Sequence, residues 1–498
     1  MKHINIFAII AFAMGMCSCS FLEEDTSSLS TPDNFFRKYS ECQTTVNGCY
    51  IPLKSIYTYT YMLATECATD LAYCASGTYD ARLDISPAIP RFGQTVWTNC
   101  YLGVQRCNFA IQGIAGSKSI TEDQRNELLC ETKALRGFYY WTLTSFFGNV
   151  PFYFDDVTDK ETLNRIALLP RMDAVKTRDA VIDDLLEVAG KVPQIRTSDN
   201  DGCRLGAAAA YMIIAECAMW NKKYEIALDA LKKIESIYGS LSSYDYTYNV
   251  MFRNPNTPES ILEIQHTYSQ DGLKYYSNVS CICMPYPRTN NTCTYDGVDI
   301  PELGDQATAW SGMHPNLFFC QGIQAKMSKD LRKTVNMAWD YNGKAFASVG
   351  GRPWMGPKFW CPNQQGTADG NNYKVFRYAN ALLLMAECYC ELNQFDKAVE
   401  YLNFTRVRAG IGPYTFRTQA RLRDEIRSER GRELIGEFQR KFDLVRWGIW
   451  YSAVCDNNDY AALKDNIKPC HEYYPIPDKE VVYSKYALDN KEYEKYGL

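Results

Sequence analysis

Glu433 and Glu437 stand four residues apart in a strongly charged segment, a spacing that predicts two carboxylates on one helix face. Paired carboxylates are what glycoside hydrolysis requires. The neighbouring residues argue against that role. Arg430, Arg432, Arg440 and Lys441 flank the pair, and ion pairs at three- and four-residue steps account for the pattern without catalysis. Cations at that range also hold carboxylates ionised, the wrong direction for a general acid. No G-x-S-x-G elbow, P-loop, H-E-x-x-H or G-x-G-x-x-G stands in a supporting context, so no catalytic residue, cofactor or enzyme activity is expected.

Sulfur chemistry is the second prospect. The chain has 20 cysteines but only 4 histidines. No C-x-x-C occurs, and His3, His266, His314 and His471 are far apart, so neither a zinc site nor a redox dithiol is expected. Cys130, Cys217 and Cys388 fall on helical patterns and read as small core residues. Cys281, Cys283, Cys293 and Cys320 lie in a loop-rich stretch, where export would permit disulfides.

The balance of 53 basic against 58 acidic residues gives a net charge of -5, without the basic footprint of a nucleic-acid binder. Aromatic residues reach 14%, led by 36 tyrosines. At 498 residues the chain can hold a large core or several domain-sized units.

Helical patterns must position these groups. Thr121 to Gln124 has capping-box form. Behind it Leu128, Leu129, Thr132, Leu135, Tyr139, Leu143 and Phe147 mark one face of a long helix that Gly148 and Pro151 end. Val96 to Ile114 reads as its antiparallel partner, with Trp97 in the core. Further on, Ile213 to Leu231 and Leu384 to Leu402 align without a gap at an offset of 171, each a helix, a polar turn, an aromatic residue and then an Ala. The unit is similar to a tetratricopeptide helix pair. Between the copies, about Tyr238 to Arg377, the chain is rich in Asn, Gly, Pro and aromatics and lacks helical periodicity, as functional loops do.

At the N-terminus Lys2 and His3 precede an apolar run from Ile4 to Met16, the length of a signal-peptide core rather than a membrane span. Cys17-Ser18-Cys19 follows and resembles a bacterial lipobox. Cys19 is the expected lipid anchor because the small Ser18 precedes it; Cys17 is the alternative. The acidic Glu23-Glu24-Asp25 resembles a surface-export signal of Bacteroidota lipoproteins.

Four segments resemble the SusD/RagB family of outer-membrane nutrient-binding lipoproteins. The first runs from Glu131 through Leu135-Arg136-Gly137 and Tyr140 to Phe147-Gly148-Asn149-Val150-Pro151. The second is Arg377-Tyr378-Ala379-Asn380 to Ala386-Glu387. The third is Glu429-Arg430, Arg432-Glu433-Leu434, Arg440, Asp443-Leu444 and Arg446-Trp447-Gly448; Tyr474-Pro475-Ile476-Pro477 completes the set. Two departures stand out, Gly137 where the family has Ala, and Gly436-Glu437-Phe438 where it has F-E-G.

The resemblance implies a mostly α, SusD-like fold, a tetratricopeptide-like helical scaffold with a loop-rich irregular lobe. The expected division is 1–18 signal peptide, 19–237 N-terminal helical region, 238–376 ligand-facing lobe and 377–498 C-terminal helical region. It further implies a surface-facing protein, lipid-anchored to the outer membrane, that binds nutrient, foremost oligosaccharide, and works with a SusC-like TonB-dependent transporter. A peptide or glycopeptide ligand, or a structural lid with little binding of its own, are the alternatives. Ligand would dock on loops near Tyr73 to Gln94 and Tyr268 to Trp310, with Tyr79, Arg82, Tyr286, Tyr295 and Trp310 as candidate contacts. Tyrosine combines an apolar face for sugar C–H groups with a polar tip. Packing on the scaffold is the competing role for each of them. Trp447 reads as core.

Overall fold

The computed structural model describes residues 35–74, 78–241, 251–252, 254–267, 275–284, 294–295, 298–299, 310, 312–341, 344–345, 354–361, 364 and 366–498. Cys17, Cys19, Tyr286 and Cys293 lie outside the described residues. The architecture is mostly α. Helices α1 (Tyr39–Ile56), α2 (Phe92–Gly116), α3 (Glu122–Phe147) and α4 (Ala174–Ala189) form the N-terminal half. Two helix pairs follow, α5 (Ala207–Trp220) with α6 (Tyr224–Tyr238), and α7 (Tyr378–Glu391) with α8 (Phe395–Arg408). Helices α9 (Gln419–Leu434) and α10 (Arg440–Arg446) carry the charged segment near the C-terminus.

Helix α3 starts where its capping box predicts. Thr121 Oγ1 accepts from the Gln124 amide at 3.2 Å, and Gln124 Oε1 accepts from the Thr121 amide at 3.0 Å. From Cys130 to Phe147 every residue but Lys133 is buried. The single apolar face expected of α3 is thus too narrow a description. Helix α2 packs on one side and α4 and α5 on others, so the helix is enclosed all round. Gly137, where Ala was expected, is explained by that crowding: a Cβ there would meet Val181 Cγ1 at 3.0 Å and Leu185 Cδ1 at 3.2 Å.

The duplication is seen in the helix starts and in the connecting turns. Helices α5 and α7 start 171 residues apart, as do α6 and α8 (207 and 378, 224 and 395). Both connecting turns place the equivalent residue in the left-handed region, Lys222 at φ 56° and Asn393 at φ 59°. Ala227 and Ala398 are fully buried where the paired helices approach. The copies pack on each other, and the Cys388 thiol donates to Met219 Sδ at 3.3 Å across the seam. Cys130, Cys217 and Cys388 are buried, and Cys281, Cys283 and Cys320 are buried free thiols.

The irregular region is sewn to the scaffold at both ends. Strand β2 (Ser260–Ile264) pairs antiparallel with β4 (Tyr373–Arg377), and β4 runs directly into α7. That strand crosses the expected lobe boundary at 376. Between them, β1 (Ala72–Cys74) from the N-terminal half pairs with β3 (Met313–Pro315).

A lattice of buried charges fastens these parts together. Arg377 donates to Glu259 at 2.8 Å, to Glu433 at 2.7 Å and through two nitrogens to Glu437 at 2.7 and 2.8 Å. Arg332 reaches Asp330 at 2.8 Å, Glu429 at 2.8 Å and Glu433 at 2.7 Å. Arg408 bridges Glu259 and Glu433, and Lys358 donates to Glu437 at 2.7 Å. Burial alone would raise the Glu433 pKa, but Arg408, Arg377 and Arg332 outweigh it and hold it well below the usual range. Burial lowers the Lys358 ammonium to about 8. Removing one partner of such a lattice costs on the order of 3–5 kcal/mol, because an uncompensated charge stays inside.

The charged segment therefore differs from its sequence reading in two ways. Helix α9 ends at Leu434, so Glu433 and Glu437 do not share a helix face. Their partners are distant in sequence, while Arg430 turns to Asp443, Arg440 to Asp70 and Lys441 to the His471 carbonyl. The chain reverses at Gly436, whose φ of 78° and whose contact with the Phe359 ring leave no room for a Cβ. Phe438 adopts φ 64°, a costly conformation for a bulky residue, and its ring packs 5.4–5.5 Å from Tyr57, Tyr61 and Tyr373. Trp447, expected in the core, is half-buried beside Arg427, Arg440 and Arg446, because Glu387 holds its indole N–H at 2.8 Å near the surface.

The duplicated carboxylates have diverged. Glu387 is paired with Arg446 at 2.8 Å, whereas Glu216 is buried with only the Asn380 amide at 3.5 Å. Burial raises Glu216 to about 7, against a smaller opposing pull from Arg446 and Arg430. The native state thus keeps a proton that the unfolded chain releases near pH 4.5. Stability falls as pH rises between those values, and Glu66, also raised to about 7 by burial, acts in the same sense. Glu216→Gln should remove about 1–3 kcal/mol of that decline. Urea midpoints at pH 5 and pH 8 measure it, and an unchanged slope in the variant contradicts the assignment.

Candidate functional site

Three rings from three separate segments meet at the β1–β3 pair. Tyr73 and His314 are directly opposite in register, and their rings stack at 5.5 Å and 27°. Tyr460 stacks on Tyr73 at 6.0 Å and 30°. All three are half-buried.

Two buried asparagines hold the segments. Asn316 donates through Nδ2 to the Thr69 carbonyl at 3.1 Å and accepts from the Asp459 amide at 3.0 Å. Asn458 donates through Nδ2 to the carbonyls of Thr69 at 2.7 Å and Ala72 at 3.2 Å, and its Oδ1 accepts from the Tyr460 amide at 3.0 Å. Asp459 in turn accepts from the Leu317 amide at 2.6 Å. The strand bearing Tyr73 is also tied to the charge lattice. Arg440 grips Asp70 with two hydrogen bonds at 2.7 and 2.8 Å, and Glu66 accepts from the amides of Gly436, Gln439 and Arg440 at 2.9–3.2 Å.

A second group adjoins this one in the chain. Tyr79 is 46% exposed, with the guanidinium groups of Arg91 at 3.8 Å and Arg82 at 4.6 Å from its ring centre. Asp84 accepts from Arg82 at 3.2 Å and from Arg91 at 3.4 Å. Asn466, six residues past Tyr460, donates to the Arg82 carbonyl at 3.0 Å. Asp80 is buried beneath, accepting from the Phe92 amide and the Tyr474 hydroxyl at 3.1 Å each; burial raises its pKa. This arrangement presents a ring, two cations and an anion to solvent, the chemistry of a polar, hydroxyl-rich ligand.

Trp310 stands apart from both groups. It is 40% exposed, meets the Tyr59 ring edge-on at 5.3 Å, and its amide donates to the Cys281 carbonyl at 2.7 Å. Tyr295 lies opposite Val298 in a two-residue hairpin strand. Tyr286 falls outside the described residues. The structure thus brings Tyr79 and Arg82 together and does not place Trp310 with them. His314 and Tyr460 escaped the sequence reading. Neither sits in an aromatic-rich motif, and only the β1–β3 register and the Asn458 bridge bring them to Tyr73. Among the described residues no group of three or more His, Cys, Asp or Glu is arranged to hold a metal ion.

Two family models match the chain. One, described as the SusD family, covers residues 354–496; the other, described as starch-binding associating with outer membrane, covers residues 90–219. Together they span more than half of the chain. SusD-like protein P25 of Formosa agariphila is 25% identical, with 98% of each chain covered. A solved SusD homolog from Bacteroides thetaiotaomicron superposes with a TM-score of 0.75 at 18% identity, covering 92% of this chain and 98% of that one. Surface glycan-binding protein A from the same species, in complex with laminarihexaose, gives a TM-score of 0.71 at 22% identity, covering 91% and 99%. These likenesses show that the fold is shared.

Asn458→Ala would take a donor from the carbonyls of Thr69 and Ala72 and loosen the strand bearing Tyr73. A loss of about 2–3 kcal/mol in stability is expected, read as a lower urea midpoint, with an increased rate of amide exchange over 69–73. Wild-type exchange in that strand would contradict the clamp.

Proposed function

The chain belongs to the SusD/RagB family, and on that premise we propose that it captures extracellular oligosaccharide at the outer membrane and passes it to a SusC-like TonB-dependent transporter. The observation that carries this reading is the stacked Tyr73–His314–Tyr460 face beside the Tyr79–Arg82–Arg91 group. Sugar rings present apolar C–H faces that flat aromatic rings cover, and equatorial hydroxyls that guanidinium and carboxylate groups bind. A clamped set of rings loses little side-chain freedom on binding, so modest contacts suffice for capture. The laminarihexaose complex of a neighbour with this fold supports a glycan ligand, and a second neighbour is a laminarin-binding SusD-like protein.

Glu433 and Glu437 are buried and spent in the interior charge lattice. Binding and handover, rather than bond cleavage, fit the groups that remain at the surface. Anchoring would rest on diacylated Cys19, because several acyl chains together give stable membrane attachment.

Calorimetry of the purified protein against a panel of neutral hexaoses, laminarihexaose among them, tests the reading. Tyr460→Ala should weaken the bound hexaose about tenfold, the loss of one stacked ring, with little change in melting temperature. Failure to bind any member, or binding indifferent to Tyr460→Ala, would favour a structural lid or a peptide ligand instead. For the anchor, Cys19→Ala should abolish incorporation of labelled fatty acid; undiminished labelling assigns the lipid to Cys17.

A further inference from the structure

A groove of about 680 Å³ runs along α1, away from the aromatic face and sharing no residue with it. Its wall is one face of that helix, with Thr44, Asn47, Ile51 and Lys54 at successive three- and four-residue steps. Ile51 is 54% exposed, an apolar side chain that the scaffold leaves uncovered. Opposite stands Tyr275, 52% exposed and held by the bridge in which the Thr267 amide donates to the Tyr275 carbonyl at 2.8 Å. Lys54 Nζ lies 4.7 Å from the Tyr275 ring centre and 6.0 Å from that of Tyr276.

The charges lining this groove do not cancel. Glu263 is consumed by Lys374 and by the Asn256 amide at 2.9 Å. Arg204 is consumed by Glu131 at 2.9 Å. Lys54 remains, with no carboxylate within ion-pair distance among the described residues. An ammonium against two tyrosine rings, one of them half open, is a place for a ring that carries a negative charge. The volume falls within the range of small-ligand sites.

We propose that this groove is a second glycan-binding site, selective for an oligosaccharide bearing carboxylate or sulfate groups. A sugar ring lies against Tyr275 and Ile51, and its anionic group meets Lys54. The inference rests on the reading of the protein as a glycan-capture protein, and adds both a place and a charge preference. It separates the groove from the aromatic face, which serves neutral rings.

Calorimetry with hexagalacturonate and with a carrageenan hexasaccharide probes the carboxylate and sulfate forms, with laminarihexaose as the neutral reference. Lys54→Gln is expected to weaken the preferred anionic probe about fivefold or more and to leave laminarihexaose unchanged. Tyr460→Ala should leave the anionic probe unaffected. Raising salt should weaken anionic binding in the wild type and hardly affect it in Lys54→Gln. Lys54 is half-buried, and an unchanged melting temperature confirms that the variant is folded. If neither anionic probe binds more tightly than laminarihexaose, or if Lys54→Gln binds them as the wild type does, the second site is overturned while capture of neutral glycan stands. If no glycan of any kind binds, the underlying reading falls with it.

Discussion

Arg377 is buried without exposure and is satisfied only if three carboxylates from different parts of the chain arrive at it together. That requirement organises the molecule. Glu259 precedes β2, Glu433 closes α9, Glu437 follows the Gly436 reversal, and Arg377 itself joins β4 to α7. Arg332, Arg408 and Lys358 extend the lattice into the irregular lobe and the second helix pair. Charges taken out of water are tolerated only with near-complete pairing, so the lattice admits one arrangement of these elements.

The aromatic face inherits its geometry from that lattice. Gly436, Gln439 and Arg440 leave it in a fixed direction and present their amides to Glu66. Arg440 then grips Asp70, two residues before β1. From there Asn316 and Asn458 set Tyr73, His314 and Tyr460 against each other. A buried interior thus supports rings borne on loops and limits their freedom before any ligand arrives.

The duplicated helix pairs supply the scaffold but not the site. Their backbones repeat down to the left-handed turn residue, while Glu216 and Glu387 have taken different roles because a single Arg446 serves only one of them. Insertion of the lobe between the copies frees that stretch from helical packing. Its ends are joined through β2 and β4, and the stretch between them carries Trp310, His314 and Tyr275.

Much of the scaffold was legible in the residues. The capping box before α3, the offset of 171 and the family-like motifs are local or periodic signals, and local sequence sets helix ends and apolar faces. Tyr79 and Arg82 could be picked out because they are three residues apart in one loop, although Asn466 holds the Arg82 carbonyl from far along the chain. What the chain alone could not specify was pairing at long range. Glu433 and Glu437 looked like partners of adjacent arginines, yet their actual partners lie 25 to 101 residues away. The Tyr73–His314–Tyr460 face and the Lys54–Tyr275 contact have the same origin. Their chemistry exists only once strand register and buried side-chain amides bring remote segments together, and no spacing along the chain encodes that meeting.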